Sequence, residues 1–194
     1  MSMHGIIIDS AVIVWIISEI LIGILRNEKG NPSKQHRNKS TSGLYIVTFL
    51  SISMAIYFSQ ASHIYGIHLT KSAQTYAYYL AVILIVGGIL VRGTAILTLK
   101  QQFSVNLTII DNHKLIDNGI YHYLRHPSYS GALLSFLGLC ITFLNWLSLI
   151  IVFFSVLAVY LYRIGVEEKM LINHFGNEYV NYSHKTKRII PYIY

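Results

Sequence analysis

Two short stretches of this chain combine residue types that can do chemistry. The first is Gly119-Ile120-Tyr121-His122-Tyr123-Leu124-Arg125-His126-Pro127-Ser128-Tyr129-Ser130-Gly131. It sets two histidines, an arginine and three tyrosines against a proline that opens an apolar segment. Proline is tolerated at the first helical position, where the N–H has no intrahelical partner. The helix starting at Pro127 should therefore present free N–H groups, and the positive end of its dipole, to those side chains. An anionic group would be welcome there. The second stretch holds Arg163, Glu167 and Glu168. Arg163 and Glu167 are four apart and share a helix face, in the poorer order for an intrahelical pair, which turns them toward partners elsewhere, on a ligand. Glu168 falls about 100° further round. The competing structural readings are a headgroup anchor at Arg125 and a snorkelling network at the end of a helix.

The elements that position these residues are membrane helices. Of 194 residues, 54% are hydrophobic and 12% charged, and the mean hydropathy is +0.51. That balance is too apolar for an ordinary soluble domain. A span needs about 20 mostly apolar residues, and five candidates stand out: Ile6 to Leu25, Leu44 to Tyr65, Tyr76 to Leu99, Ser128 to Phe143 and Trp146 to Gly165. The first is too long for a signal-peptide core and stands as a span. Only Leu144 and Asn145 separate the last two, so a helical hairpin is expected. Arg26, Lys29, Lys34, Arg37 and Lys39 follow the first span, Lys114 and Arg125 lie between the third and fourth, and Lys169, Lys185, Lys187 and Arg188 follow the fifth. With alternating sides, these segments share the cytoplasmic face and the N-terminus lies outside.

The net charge of +7 follows from this topology. No soluble face interleaves basic and aromatic residues, so nucleic acid is not an expected partner. The single cysteine, Cys140, lies in an apolar span and offers neither a disulfide nor a metal-ligand pair. Glu19 and Arg92 lie at similar depths in spans running the same way, and are expected to face each other and pair. Gly87, Gly88 and Gly93 read as sites of close helix packing. No Gly-rich strand-to-helix turn supports a soluble dinucleotide-type fold. After the fifth span an apolar helical spacing continues to a C-cap at Gly176, and the aromatic tail beyond it folds back as a lid or an anchor. The expectation is a single membrane domain, 1–194, with a three-helix part (1–99) and a chemically active part (100–194), where loop and tail form the site.

His113-Lys114-Leu115-Ile116, Gly119-Ile120-Tyr121, Arg125-His126-Pro127-Ser128-Tyr129 and Gly131 resemble the signature of the isoprenylcysteine carboxyl methyltransferases and their phospholipid-methyltransferase relatives. Arg163, Glu167-Glu168, Leu171, Phe175-Gly176, Glu178-Tyr179 and Tyr182 are similar to its second half, in order and spacing. The likeness covers roughly residues 100 to 192. It implies an all-α integral membrane enzyme that transfers a methyl group from S-adenosylmethionine, leaving S-adenosylhomocysteine. The acceptor would be the carboxylate of a C-terminal prenylated cysteine, or a similar lipid-like group reached through the bilayer. By the same likeness, His113, Lys114, Leu115, Ile116, Tyr121, His122, Arg125, His126, Pro127, Ser128, Tyr129, Glu167 and Glu168 would surround the cofactor. Arg163 and Glu167 would hold the substrate and serve catalysis, with no metal.

The residue types suit that chemistry. The cofactor's carboxylate suits the N–H groups after Pro127 with Arg125 or His126, and glutamates suit its diol or ammonium. Methyl transfer needs alignment and exclusion of water more than proton transfer. An acceptor carboxylate is already ionised near neutral pH. A phospholipid amine acceptor would instead want a base, such as Glu167 or His122. An NADPH-dependent sterol-type reductase would want more cations than Lys114 and Arg125. A small transporter would spread its polar residues near the midplane and over paired halves.

Overall fold

The computed structural model describes residues 3–27, 39–60, 66–103 and 114–194. Among them the chain is helical: α1 (Met3–Asn27), α2 (Lys39–Gln60), α3 (Lys71–Leu99), α4 (Pro127–Thr142), α5 (Trp146–Phe175) and α6 (Asn177–Lys185), with 3₁₀ turns at Lys100–Gln102 and Gly119–His122. The described residues hold two isolated bridges, Gly66 with Asn145 and Leu124 with Lys187.

Local chemistry sets the boundaries. Thr70 accepts from the Ala73 N–H, so α3 starts at Lys71, ahead of the apolar run that begins at Tyr76. Pro127 stands at the first turn of α4. Asn145 caps α5 by accepting from the Ser148 N–H at 3.0 Å. Gly176, at φ 57°, ends α5 with its N–H on the Ile172 carbonyl. Between these caps α5 is one helix; Gly165 does not interrupt it, since a single interior glycine costs only about 1 kcal/mol against alanine.

The most extensive helix contact joins α3 to α4, and glycines permit it. A Cβ at Gly131 would lie 2.6 Å from both the Arg92 nitrogen and the Gly88 carbonyl. One at Gly138 would lie 2.7 Å from the Ala81 carbonyl. Gly88 is equally confined by Gly131 and Ser135. Gly93 departs from expectation, with nothing within 4 Å of such a Cβ, and Gly87 makes only ordinary contact. The α2–α5 contact is polar at its end: Ser148 donates to the Ala55 carbonyl at 3.0 Å and Asn145 to the Phe58 carbonyl at 3.1 Å. α1 lies across α3 and reaches α4, where Trp15 meets Phe136 edge to face at 5.0 Å.

Among the described residues, three helices are long and apolar enough to cross a membrane: Ile6–Ile24 within α1, α3 and α5. Tyr45–Phe58 within α2 and the whole of α4 are apolar but shorter. Ile13, Ile17, Ile20, Phe49, Tyr57, Ile83, Leu90 and Leu97 are exposed. Exposed apolar surface of that extent is the outside of a protein solvated by lipid.

Candidate active site

The helices enclose a cavity of about 290 Å³. Lys114, Leu115, Ile116 and Tyr121 line it from the loop before α4, and Tyr179 and Tyr182 from α6. Arg125, His126, Ser128, Tyr129 and Phe136 come from the turn into α4 and from α4 itself. Tyr160, Arg163, Glu167, Met170, Leu171 and Phe175 are successive turns of α5. Trp15, Glu19, Tyr45, Thr48 and Arg92 close it from α1, α2 and α3. Loop and tail supply one side, apolar helices the other.

Tyr129 joins the two motifs. Its hydroxyl donates to Glu167 Oε2 at 2.8 Å. Its ring stacks on His126, with centroids 5.6 Å apart and planes at 17°. It also lies 5.1 Å from the Tyr160 ring, and the Arg163 guanidinium stands 5.9 Å over its centroid. Arg163 is 2% exposed. The four-residue spacing thus sets Arg163 and Glu167 beside each other on the cavity face of α5.

Glu168 turns the other way. It accepts from Arg125 Nε at 2.9 Å and from Arg188 Nη2 at 2.8 Å. His126 stands between the two carboxylates, with Nδ1 3.6 Å from Glu167 and Nε2 3.5 Å from Glu168. Arg125 also donates to the Ser183 and Thr186 carbonyls, both at 2.6 Å. The Arg125 and His126 N–H groups donate to Lys187 and Arg188 carbonyls. Its bond to Glu168 raises the Arg188 pKa above its ordinary value. The tail is therefore strapped over the turn into α4 by charge-assisted bonds. It also walls the cavity: Tyr182 donates to the Tyr121 carbonyl at 2.7 Å.

This geometry redraws part of the expected site. Arg125 was expected beside an anionic ligand, but its guanidinium is engaged by Glu168 and two tail carbonyls. Glu168 and Pro127 do not line the cavity, and exposed His122 stacks edge-on against Tyr123. His113 lies outside the described residues. The N–H groups opening α4 are partly used, since those of Tyr129 and Ser130 both donate to the His126 carbonyl.

Burial holds the phenols of Tyr121, Tyr179 and Tyr182 above their ordinary pKa, so each is a neutral donor near pH 7. Tyr179 Oη is buried and finds no hydrogen-bond partner among the described residues. A buried polar atom of that kind calls for a ligand or water. On the opposite wall Arg92 Nε stands 2.8 Å from Glu19 Oε1, and Nη2 donates to Glu19 Oε2 at 3.0 Å. The pairing expected from their depths is present. Arg92 Nη1 donates to both the carbonyl and the hydroxyl of Ser128, at 3.2 and 3.1 Å. Sequence reasoning missed Trp15, Tyr45, Thr48, Phe136 and Tyr160 as cavity residues. Each lies within an apolar run and carries no signal that separates it from a lipid-facing side chain.

Comparison with known proteins converges on one group. The model of the isoprenylcysteine carboxyl methyltransferase (ICMT) family matches residues 81–173. A probable protein-S-isoprenylcysteine O-methyltransferase of Oryza sativa subsp. indica is 25% identical over 183 residues, covering 92% of this chain and 96% of the relative. The protein-S-isoprenylcysteine O-methyltransferase of Saccharomyces cerevisiae is 37% identical over 116 residues, covering 59% of this chain and 48% of the relative. A solved structure of a eukaryotic intramembrane Ras methyltransferase, ICMT, aligns with a TM-score of 0.53 and 26% identity, over 85% of this chain and 55% of that one. The chain thus spans nearly all of the rice relative, and about half of the yeast relative and of the solved chain.

Proposed function

We propose that this chain belongs to the isoprenylcysteine carboxyl methyltransferase family and methylates the carboxylate of a prenylated C-terminal cysteine or a similar lipid-like acceptor. The donor is S-adenosylmethionine. The observation that carries this reading is the meeting of Arg163, Glu167 and Tyr129 in one cavity, between a polar loop-and-tail wall and apolar helices.

The residues present fit the donor. A carboxylate, neutral phenols and aromatic faces suit a group that carries a sulfonium, an ammonium and a ribose diol. The buried Tyr179 hydroxyl lacks a partner among the described residues, and such a group would offer it one. When bound, the donor supplies an activated methyl. Glu167 takes up its ammonium or diol, and the Tyr129 hydroxyl fixes the rotamer of Glu167. Lys114, Leu115, Ile116, Tyr121 and His126 complete that half, while Ser128 orients the turn. Arg163 orients the acceptor carboxylate bidentately. The acceptor oxygen is already charged near neutral pH, so no residue need take a proton. α6 and the strap behind it keep water from the line of transfer. Glu168 and Arg125 act through the strap.

In the membrane we read five spans, with α4 and α5 as a hairpin, the N-terminus outside, and the loop before α4 and the tail in the cytoplasm. The excess of lysine and arginine in those segments supports this orientation. The whole chain is read as one domain, because α1, α2 and α3 contribute to the same cavity as the second half.

Calorimetric titration of the detergent-solubilised protein tests the donor: S-adenosylhomocysteine should bind and NADPH should not. The acceptor is tested by methylation of a farnesylated cysteine analogue. Arg163→Ala should keep S-adenosylhomocysteine binding within about threefold yet lose at least about a hundredfold in kcat/KM for the analogue, near 2.7 kcal/mol of transition-state stabilisation. Wild-type turnover in that variant would overturn the acceptor assignment.

A further inference from the structure

Besides Arg163, and Arg125 whose guanidinium is engaged by Glu168 and the tail, the cavity contains a third arginine that the proposed reaction does not use. Arg92 lies on its wall with Glu19 and Ser128. Its side chain is 11% exposed and that of Glu19 is 31% exposed, so the pair is within reach of a bound molecule. Glu19 occupies two of the guanidinium nitrogens, and Ser128 takes the third through its carbonyl and hydroxyl. Ser128 is followed directly by Tyr129, which bonds Glu167, so the pair stands one residue from the reacting cluster. A guanidinium facing an apolar cavity would bind a carboxylate bidentately, in competition with Arg163.

We propose that Glu19 is a specificity-determining residue: it occupies Arg92 so that the acceptor carboxylate is left to Arg163 and does not settle one wall away from the methyl. This rests on the reading of the acceptor as a lipid-like carboxylate. An arginine that reaches from α3 to Ser128 of α4 is thereby kept from becoming a trap. α1, which supplies Glu19, is then part of the acceptor site as well as of the bundle.

The test compares S-farnesylthioglycolate, which carries a free carboxylate, with its neutral amide as inhibitors of farnesylcysteine-analogue methylation. In Glu19→Gln the carboxylate should inhibit roughly tenfold more tightly, while the amide is unchanged and kcat falls. Parallel changes in both inhibitors, or none, would overturn the proposal. A purely structural role for Glu19 would lower stability and S-adenosylhomocysteine binding without separating the two compounds. Should Glu19→Gln fail to fold, Glu19→Gln/Arg92→Met removes guard and trap together and should keep the wild-type preference for the carboxylate. A collapse of that preference would make Arg92 the true carboxylate partner. Wild-type protein that methylates no carboxylate acceptor would instead overturn the functional reading on which this rests.

Discussion

Tyr129 and Glu167 are 38 residues apart in sequence and 2.8 Å apart in space. That bond, with those of Arg125 and His126 to Glu168 and Glu167, joins the stretch around Pro127 to the stretch around Arg163. The two stretches that meet in the cavity are legible because their signals are local: a proline opening an apolar run, and an i,i+4 pair at the end of another. The direction of Arg125 was not legible. Its partners Glu168, Ser183 and Thr186 are brought to it by the folding back of the tail, which no local pattern encodes. Trp15 and Tyr160 were illegible for another reason, since an aromatic in an apolar run reads the same whether it lines a cavity or meets lipid, as Phe49 and Tyr57 do. Removing the Tyr129 hydroxyl tests the junction itself. Tyr129→Phe keeps the stack on His126 and removes the hydroxyl that bonds Glu167. A hydrogen bond to a charged group contributes about 1.5–3 kcal/mol, so kcat/KM should fall roughly 10- to 100-fold while the melting temperature stays near wild type. An unchanged kcat/KM would remove Tyr129 from the site.

Helices α3 and α4 meet because small residues stand where their backbones cross. The apolar runs and their glycines were readable from sequence, but the side of the helix each glycine occupies was not. Gly88 packs against Gly131, whereas Gly93 faces open space. Periodicity fails here because a helix that is apolar all round has no marked face. Substitution separates the two cases. Gly131→Ala forces a Cβ into the Arg92 backbone and should cost about 1–3 kcal/mol through overpacking. Gly93→Ala meets nothing and should leave stability unchanged or raised by up to about 1 kcal/mol. Thermal unfolding in detergent measures both. Because the Gly131 contact borders Arg92 and Ser128, Gly131→Ala should also lower kcat, whereas Gly93→Ala should not. Equal effects at the two positions would mean that the helices do not cross there. The same reasoning explains the helix ends. Thr70, Asn145 and Gly176 carry capping chemistry that places boundaries, while hydropathy alone misplaced the start of α3 and stopped α5 short.

At the scale of the molecule, the cavity gathers its walls from both halves of the chain, so a division at Leu99 describes the sequence better than it describes the site. The first three helices carry no motif that could announce a role, yet Glu19 and Arg92 meet across them and reach Ser128. Sidedness is an expectation at this scale, resting on a count of lysine and arginine between apolar runs. It also makes a prediction that leaves the active site untouched. Lys71 and Lys185 are both exposed, the first opening α3 and the second closing α6. With five spans they fall on opposite faces of the bilayer. The one native thiol, Cys140, is buried within α4, where burial pushes solvent-borne reagents away, so single cysteines can be introduced without removing it. Lys71→Cys should react with a membrane-impermeant maleimide added outside sealed cells, and Lys185→Cys only after the membrane is opened. Labelling of both from outside would require an even number of crossings between them. It would place the Arg163–Glu167 cluster beyond the reach of a cytosolic methyl donor.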